Sequence, residues 1–310
     1  MSDTIHIGFG IDKNFGAFAG ITITSLAHSN IGNELAIHIV YDEILPDDLE
    51  RLKKTEALYR NLTLHFYQIK SMEGMKFIVP EGHITQAMYY RYLFADMLPQ
   101  EIRRIIYMDA DIICKGDILP LWQSDLQGKI LGAVRDYGEA KSCVRIGLKS
   151  GRYFNSGVLV MDLVKWRKQR LTQKLFCWLE QIGSTKIIWG DQDALNGVID
   201  GNFTEIPKKY NCIVINNTVL KATSEDVLVH YIDYIKPWHI YYVDSADKEL
   251  YWKYVKKSLW SDLRPMDGTT VETAVMTARL LYKQGKYAES ASYYEAVLKY
   301  FLKDKYTSIV

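Results

Sequence analysis

Short apolar runs alternate with amphipathic stretches along the first hundred residues of the chain. The runs at residues 5–9, 35–41 and 62–67 have the length and the β-branched content of strands. Residues 17–29 and 46–58 lie between them and have helical spacing, with acids in the first turn of the second helix, as the helix dipole favours. Strands separated by helices predict an α/β fold in which a mostly parallel sheet is covered by helices on both faces.

The fourth apolar run, residues 104–113, follows a predicted helix over residues 85–98 and contains two acids, Asp109 and Asp111. If this run is one strand, residues two apart face the same way, and the two carboxylates repel each other. A divalent cation would remove that repulsion, because hard cations take oxygen ligands. We therefore predict a metal site here. The alternative is a strand end that carries two solvated acids.

Polar residues also follow or interrupt later apolar segments. Asn155, in the sequence Asn-Ser-Gly at the mouth of a further strand, is either a turn residue or a ligand contact. Residues 189–196 open a helix whose first turn is acidic, which is also good capping chemistry. His230 lies before a loop rich in Pro and aromatic residues. A lone His is more often part of a core, so it gains meaning only if Asp109 and Asp111 hold a metal.

The composition changes after about Pro265, where two helical segments, residues 271–285 and 286–302, follow each other. The stretch 282–298 resembles a single tetratricopeptide unit, and one such unit cannot bury its own apolar face. We expect it to dock on the main domain or on a partner. The chain is therefore predicted to consist of a domain over residues 1–264 and a small helical region over 265–310.

Composition narrows the class of protein. The chain has 310 residues and a net charge of +1, which argues against a general nucleic-acid binder. Its four cysteines are far apart and form no CxxC pair, a pattern typical of reduced thiols in a cytosolic protein. No signal peptide is expected at the N-terminus, and no apolar stretch approaches the roughly 20 residues of a membrane span.

The polar positions described above belong to a longer ordered set of short segments: Phe9-Gly-Ile-Asp-Lys-Asn-Phe15, Tyr90-Arg-Tyr-Leu93, Tyr107-Met-Asp-Ala-Asp111, Tyr153-Phe-Asn-Ser-Gly-Val158, Gly190-Asp-Gln-Asp-Ala-Leu-Asn196, and His230 with Lys236-Pro-Trp-His239. Taken together, these segments resemble glycosyltransferase family 8, retaining enzymes that use a nucleotide sugar. A lone Asp-x-Asp (DxD) motif is a weak signal, but the ordered set is specific. The similarity is greatest to bacterial lipopolysaccharide core glucosyl- and galactosyltransferases, which also carry a small helical C-terminal region.

The resemblance implies a GT-A fold, in which a Rossmann-like sheet binds a UDP-sugar together with Mn²⁺ or Mg²⁺. It also implies a role for each matching residue. Asp12 and Asn14 would bind the uracil and Phe15 would stack on it; Asp109, Ala110 and Asp111 would bind the nucleotide sugar; Asp109, Asp111 and His230 would ligate the metal; Lys236 would contact the diphosphate; Arg91, Asn155 and Asp191 would hold the donor sugar; and Gln192 would lie on the sugar face opposite the leaving UDP.

Retention of configuration allows a covalent intermediate or front-face attack, and the two catalytic candidates are Asp191 and Gln192. Gln192 is an amide and a poor nucleophile, so front-face attack is favoured, with Asp191 as the rival nucleophile. One departure from the family lies in the phosphate loop, where Asp233 replaces a common Gly. An acid there would repel phosphate unless it turns outward.

The implied reaction moves glucose or galactose from the UDP-sugar to a lipopolysaccharide core. The same family could instead act on another glycan or a protein, and a non-catalytic binding module is a third interpretation. A lipid-linked acceptor suggests peripheral contact with the cytoplasmic face of a bacterial inner membrane. Residues 250–260 interleave aromatics with lysines, which is typical either of an interfacial helix or of a helix that packs on the main domain.

Overall fold

The computed structural model describes residues 4–70, 85–136, 138, 140–216, 218–232, 234–266 and 270–302. The strands in this part of the chain are β1 (Ile5–Ile11), β2 (Leu35–Tyr41), β3 (Leu62–Gln68), β4 (Arg104–Met108), β5 (Ile112–Cys114), β6 (Leu131–Arg135), β7 (Phe154–Asp162), β8 (Thr204–Glu205), β9 (Cys212–Val214) and β10 (Leu228–Tyr231). The α-helices are α1 (Gly16–Ser29), α2 (Pro46–Leu58), α3 (Phe94–Met97), α4 (Leu119–Trp122), α5 (Ala140–Ile146), α6 (Leu163–Gln169), α7 (Leu171–Ile182), α8 (Asp191–Ile199), α9 (Ala246–Lys257), α10 (Val271–Lys283) and α11 (Tyr287–Leu302). Short 3₁₀ segments span Gln86–Tyr92, Ser184–Lys186 and Lys208–Tyr210.

The central sheet has seven strands in the order β3-β2-β1-β4-β7-β6-β8. Strand β1 pairs in parallel with β2 and β4, and β2 pairs in parallel with β3. Strand β7 is antiparallel to both β4 and β6, while β8 is parallel to β6. The predicted α/β class with a mostly parallel sheet is therefore confirmed.

Apolar cores lie on both faces of this sheet, which explains why its first strands are nearly continuous apolar runs. Ile7 on β1 belongs to the core that contains Ile23 of α1, and both side chains are fully buried. The other core contains Phe94, Ile105 and Leu159, also fully buried. Burial on both faces holds the carboxyl ends of β1 and β4 in fixed positions at one edge of the sheet.

The prediction of one strand over residues 104–113 is wrong. Strand β4 ends at Met108, and β5 begins at Ile112 and belongs to a second, three-stranded sheet with the order β5-β10-β9. The hydroxyl of Thr22 on α1 lies 2.8 Å from the carbonyl oxygen of Ala110 and 2.7 Å from that of Ile112, which holds the crossover between the sheets. Apolar content alone does not reveal such a change of sheet.

The helix predicted over residues 85–98 is only partly correct. The chain there forms the 3₁₀ segment Gln86–Tyr92, followed by the four-residue helix α3. The Thr85 side chain accepts from the backbone N–H of Ala87, which is an N-cap contact. The tighter 3₁₀ turn brings Ala87, Tyr90 and Arg91 close beneath Gly10 of β1, where a Cβ atom would lie 2.9 Å from Cβ of Tyr90.

Helices α10 and α11 form the C-terminal hairpin that the sequence predicts. Met276 and Leu280 of α10 pack against the core of the main sheet, and Tyr234 donates a 3.2 Å hydrogen bond to Glu272. The hairpin therefore contacts the main domain through α10. Much of α11 is exposed, including Tyr287.

The aromatics of residues 250–260 face the protein core. Tyr251, Tyr254 and Trp260 are buried, and the indole N–H of Trp260 donates to Asp48 at 2.7 Å. Lys253, Lys256 and Lys257 of α9 lie on its exposed side. Of the two interpretations of residues 250–260, the structure agrees with a helix that packs on the main domain. The interpretation of its aromatics as a membrane-facing surface is wrong. In the described ranges, helices long and apolar enough to cross a bilayer are absent.

Candidate active site

Three potential metal ligands meet where the two sheets join. Asp109 and Asp111 lie in the connection between β4 and β5, and His230 lies on β10, paired with Ile112 of β5. Nε2 of His230 is 3.2 Å from Oδ1 of Asp111 and 3.6 Å from Oδ2 of Asp109. One ligand atom from each of the three residues lies within 4.8 Å of the others. The carboxylates converge because the chain changes sheets, not because they alternate along one strand.

Gly157 on β7 makes room for this cluster. A Cβ atom at that position would lie 2.2 Å from Cε1 of His230 and 2.8 Å from Oδ2 of Asp109. The carbonyl oxygen of Gly157 also accepts a 2.9 Å hydrogen bond from the backbone N–H of Asp109. Only a glycine allows the imidazole ring to lie this close to the strand.

The ammonium group of Lys236 lies against Asp111. Nζ of Lys236 is 2.6 Å from Oδ2 of Asp111 and 2.7 Å from the carbonyl oxygen of Tyr231. Burial alone would raise the pKa of the Asp111 carboxyl, but the charge of Lys236 opposes it and holds that pKa below its usual range. Asp111 is therefore an ionised ligand in a buried position.

The surroundings of the other carboxylate oxygen of Asp111 indicate whether a cation fits the cluster. Oδ1 is buried, and among the described residues no group donates a hydrogen bond to it. A buried carboxylate oxygen without a partner is costly, and an imidazole nitrogen faces it at 3.2 Å. Two carboxylates and one imidazole suit Mn²⁺ or Mg²⁺ when other oxygens complete the coordination. The residues present fit a divalent cation.

Arg91 links this cluster to the first turn of α8. Its guanidinium lies 2.9 Å from Oδ1 of Asp109 and 3.0 Å from Oδ2 of Asp191, and it donates to the hydroxyl and carbonyl oxygens of Ser156. The Arg91 side chain is 6% exposed, so these contacts are screened little by water. One planar cation thus fixes the positions of two carboxylates, the half-buried Asp109 and the buried Asp191.

Asp191 and Gln192 lie side by side at the start of α8 but have different partners. Burial raises the pKa of Asp191 to about 6; Arg91 opposes that rise and Asp109 adds to it. Oε1 of Gln192 accepts a 2.9 Å hydrogen bond from the backbone N–H of Ser156. The Gln192 amide oxygen is therefore already engaged, while the Asp191 carboxylate is held between Arg91 and the Ser156 hydroxyl.

The segment after β1 lies at the same edge of the sheet. Oδ1 of Asp12 accepts a 2.9 Å hydrogen bond from the backbone N–H of Asn14, which closes a tight turn before α1. The rings of Phe15 and Phe18 meet edge to face at 5.6 Å, and Phe18 stacks on Trp238 at 3.8 Å. This stacking joins the turn after β1 to the segment that carries Lys236.

The structure brings most of the predicted residues into one connected site. Asp109, Asp111, His230 and Lys236 contact one another, and Arg91 joins Asp109 to Asp191. Asn155 is linked to His230 through Asn211. Asp12, Asn14 and Phe15 form the neighbouring turn, without a described contact to the acids. Asp233 lies outside the described residues.

Sequence reasoning missed several side chains that hold this site together. Tyr107 donates a 2.7 Å hydrogen bond to Oδ1 of Asp109, and Arg91 lies 4.5 Å from the centre of its ring. Ser156 binds Arg91, Asp191 and Gln192, whereas the sequence shows it only as part of the Asn-Ser-Gly stretch. Thr22 lies in a helix with no acidic or basic neighbour that would mark it. Of these residues, only Ser156 carries a sequence signal of a role in the site, because it is a polar residue inside an apolar strand.

An acidic cluster lies at the edge of a mostly parallel, helix-covered sheet, and comparison with known families and structures identifies the class of protein as a glycosyltransferase with a GT-A fold. The sequence profile described as glycosyl transferase family 8 matches residues 6–241, and the chain belongs to that family. It is a hexosyltransferase by class, as the relatives described next also are.

Two curated relatives and one solved structure show the extent of the similarity. The chain is 33% identical over 254 residues to a lipopolysaccharide 1,2-glucosyltransferase of Escherichia coli, covering 76% of this chain and 74% of the relative. It is 27% identical over 315 residues to a lipopolysaccharide 1,3-galactosyltransferase of Salmonella typhimurium, covering 96% and 91%. The crystal structure of the galactosyltransferase LgtC, in complex with donor and acceptor sugar analogues, superposes with a TM-score of 0.70 at 22% identity, covering 82% of this chain and 96% of that one. This likeness confirms the GT-A fold.

Proposed function

We propose that the protein transfers glucose or galactose from a UDP-sugar to a lipopolysaccharide core acceptor, in a reaction that requires Mn²⁺ or Mg²⁺. The observation that carries the proposal is the Asp109–Asp111–His230 cluster, at whose centre a carboxylate oxygen receives no hydrogen bond from any described residue. Relatives named as lipopolysaccharide glucosyl- and galactosyltransferases support the acceptor class.

The proposed donor site runs from the turn after β1 to the start of α8. Asp12, Asn14 and Phe15 bind and stack on uracil, and Arg91, Asn155 and Asp191 hold the hexose, with the Asp109-Ala-Asp111 turn between them. Asp191 and Arg91 support this assignment because both are buried and joined by a 3.0 Å ion pair. Groups held this firmly lose little entropy when they bind a sugar hydroxyl.

Lys236 is the proposed diphosphate contact. When bound, the divalent cation would supply positive charge against the diphosphate as the bond to the sugar breaks. The ammonium of Lys236 adds a second positive charge, and its 2.6 Å contact with Asp111 keeps it beside the cluster. The preorganised charge acts in a largely buried setting, where electrostatic stabilisation is stronger than in water.

For the transfer step we favour front-face attack. The acceptor oxygen forms the new bond to the anomeric carbon as the bond from that carbon to UDP breaks, and the acceptor proton passes to the departing phosphate oxygen. The hydrogen bond from Ser156 to Oε1 of Gln192 supports this choice, because it lowers the nucleophilicity of an already weak nucleophile. Asp191, paired with Arg91, then stabilises positive charge on the sugar.

The division into a transferase domain over residues 1–264 and a helical region over 265–310 is retained as a proposal. So is peripheral attachment to the cytoplasmic face of the inner membrane. Because the aromatics of α9 are buried, that attachment would depend on the exposed Lys253, Lys256 and Lys257 attracting anionic lipid. Sedimentation with anionic vesicles that is lost on adding salt is expected; a protein that stays in the supernatant at low salt contradicts attachment.

The experiment that tests the function offers a panel of UDP-sugars together with truncated lipopolysaccharide, and analyses the product by mass spectrometry and NMR. We expect one added hexose, from UDP-glucose or UDP-galactose, in an α linkage and only in the presence of a divalent cation. Transfer to a different glycan or to a protein would replace the acceptor and leave the donor chemistry intact. If no UDP-sugar is consumed under any of these conditions, the binding-module interpretation replaces the proposal.

A further inference from the structure

Asn211 connects two parts of the site that the proposed function treats separately. It lies between the 3₁₀ segment Lys208–Tyr210 and β9, and it is 1% exposed. Its Oδ1 is 2.8 Å from Nδ1 of His230, and its Nδ2 donates to Oδ1 of Asn155 at 2.7 Å. A buried amide therefore bridges a metal ligand and a donor-sugar residue.

The direction of each hydrogen bond follows from one backbone group. The N–H of Gly157 lies 2.9 Å from the Asn155 side chain and can only donate, so the atom it meets is Oδ1. The Asn211 atom that faces the same oxygen must also be a donor, Nδ2. Oδ1 of Asn211 then faces His230, and Nδ1 of that ring must carry a proton.

The same chain of hydrogen bonds determines the state of Nε2, the other ring nitrogen of His230. With Nδ1 protonated in the neutral ring, Nε2 is bare, and it points at Asp111 and Asp109 from 3.2 and 3.6 Å. A bare imidazole nitrogen cannot donate to Oδ1 of Asp111, which agrees with the missing donor at that buried oxygen in the described part of the chain. Lone pairs on both atoms are thus directed at one cation-sized space.

We propose that Asn211 is a positioning residue that sets the Nδ1–H tautomer of His230 and so presents Nε2 to the cation. The proposal rests on the metal site of the proposed function. Asn211 acts through His230 and Asn155 and does not itself touch cation or sugar. Partners of this kind, which hold the second nitrogen of a ligating His, commonly contribute 10–100-fold to metal affinity.

The first test measures Mn²⁺ affinity of the full chain without nucleotide, by calorimetry or by the EPR signal of free Mn²⁺. Asn211→Leu removes both hydrogen bonds at similar volume, and affinity should fall by about 10–100-fold. Asn211→Asp keeps an acceptor for the His230 proton but loses the donor to Asn155, so affinity should fall clearly less than in Asn211→Leu. An Asn211→Leu protein that binds Mn²⁺ normally, or an Asn211→Asp protein as weak as it, overturns the proposal.

A matched control separates this effect from loss of stability. Asn61 is also a buried amide, 7% exposed, and donates to the carbonyl oxygens of Ala27, Asn30 and Asn33, away from the site. Asn61→Leu should lower the melting temperature and leave Mn²⁺ affinity unchanged. If Asn61→Leu weakens Mn²⁺ binding as much as Asn211→Leu does, a general loss of stability explains both results, and the positioning role of Asn211 is contradicted.

The second test reads the tautomer directly and needs no metal. Long-range ¹H–¹⁵N NMR of the neutral His230 ring should show the proton on Nδ1 in the unmodified protein and a mixture or the Nε2–H form in Asn211→Leu. An Nε2–H ring in the unmodified protein overturns the proposal. If Mn²⁺ does not bind at all while the ring carries its proton on Nδ1, the metal assignment of the proposed function fails and the role of Asn211 in setting the tautomer stands.

Discussion

Oδ1 of Asp111 and Nε2 of His230 face each other at 3.2 Å in the buried centre of the site. Neither is satisfied by the other when the His230 proton is on Nδ1, because both atoms then offer only lone pairs. Lys236 neutralises the opposite oxygen of Asp111 but does not reach Oδ1. The arrangement favours a cation between the two residues, and the predictions below depend on it.

Gly157→Ala should damage the metal site through sterics alone. The new Cβ would lie 2.2 Å from Cε1 of His230, so the ring must shift away from β7. Overpacking of this kind costs about 1–3 kcal/mol of stability. We expect a lower free energy of unfolding in urea together with weaker Mn²⁺ binding.

Gly32→Ala is the matched control for that substitution. A Cβ at residue 32 has no heavy atom within 4 Å in the described structure. Stability and Mn²⁺ affinity should both be unchanged. Equal effects from the two substitutions would show that the close approach of His230 to Gly157 does not matter.

Gln192→Ala tests the choice between front-face and covalent transfer. Oε1 of Gln192 is held by the Ser156 N–H, so we expect it to position the substrate and not to form a bond to the sugar. Removing the side chain should therefore affect positioning alone. Turnover should fall by no more than about 10²-fold, whereas loss of a true nucleophile costs about 10⁴-fold or more. Steady-state kinetics with the UDP-hexose measure the difference, and a drop of the larger size would favour a covalent role for Gln192.

Stability should depend on pH through His38, in the middle of β2. Its ring contacts His6 at 2.9 Å and the Tyr67 hydroxyl at 3.1 Å. Burial first, and then His6 and His65, lower the pKa of His38 from 6.5 to about 3. The unfolded chain therefore binds the proton before the folded chain does, and stability falls as the pH drops from 6.5 towards 3.

Urea unfolding at a series of pH values tests this dependence. The free energy of unfolding should fall by at most about 1.4 kcal/mol per pH unit, the limit for one proton. His38→Phe removes the titrating group, so its stability should change less steeply over the same range, whatever its absolute stability. Parallel curves for the two proteins would assign the pH dependence to other groups.

The fold could be predicted well where the pattern is local. Strand β2 and helix α2 begin and end where the sequence predicts, because β-branched runs and an acidic first turn carry their own signals. The break between β4 and β5 could not be predicted, because it depends on Thr22 and on the pairing of β5 with β10, both distant in sequence.

The same distinction applies to the site and to α9. Asp109 and Asp111 stand out as acids in an apolar run, while Asn211 is an ordinary polar residue whose role depends on contacts with Asn155 and His230. The aromatics of α9 were ambiguous because a helix that packs on the main domain and an interfacial helix share one pattern. Trp260, which packs above Gly20 with its indole bound to Asp48, decides for packing.

The central claim is that Asp109, Asp111 and His230 hold a divalent cation against the diphosphate of a UDP-hexose. The most direct measurement is Mn²⁺-dependent hydrolysis of UDP-hexose by the unmodified protein and by Asp111→Ala, with Asp244→Ala, an exposed acid whose side chain is 95% accessible, as the control. We predict that Asp111→Ala loses the Mn²⁺-dependent rate while its circular dichroism is unchanged, and that Asp244→Ala keeps it. Unchanged turnover in Asp111→Ala would contradict the account.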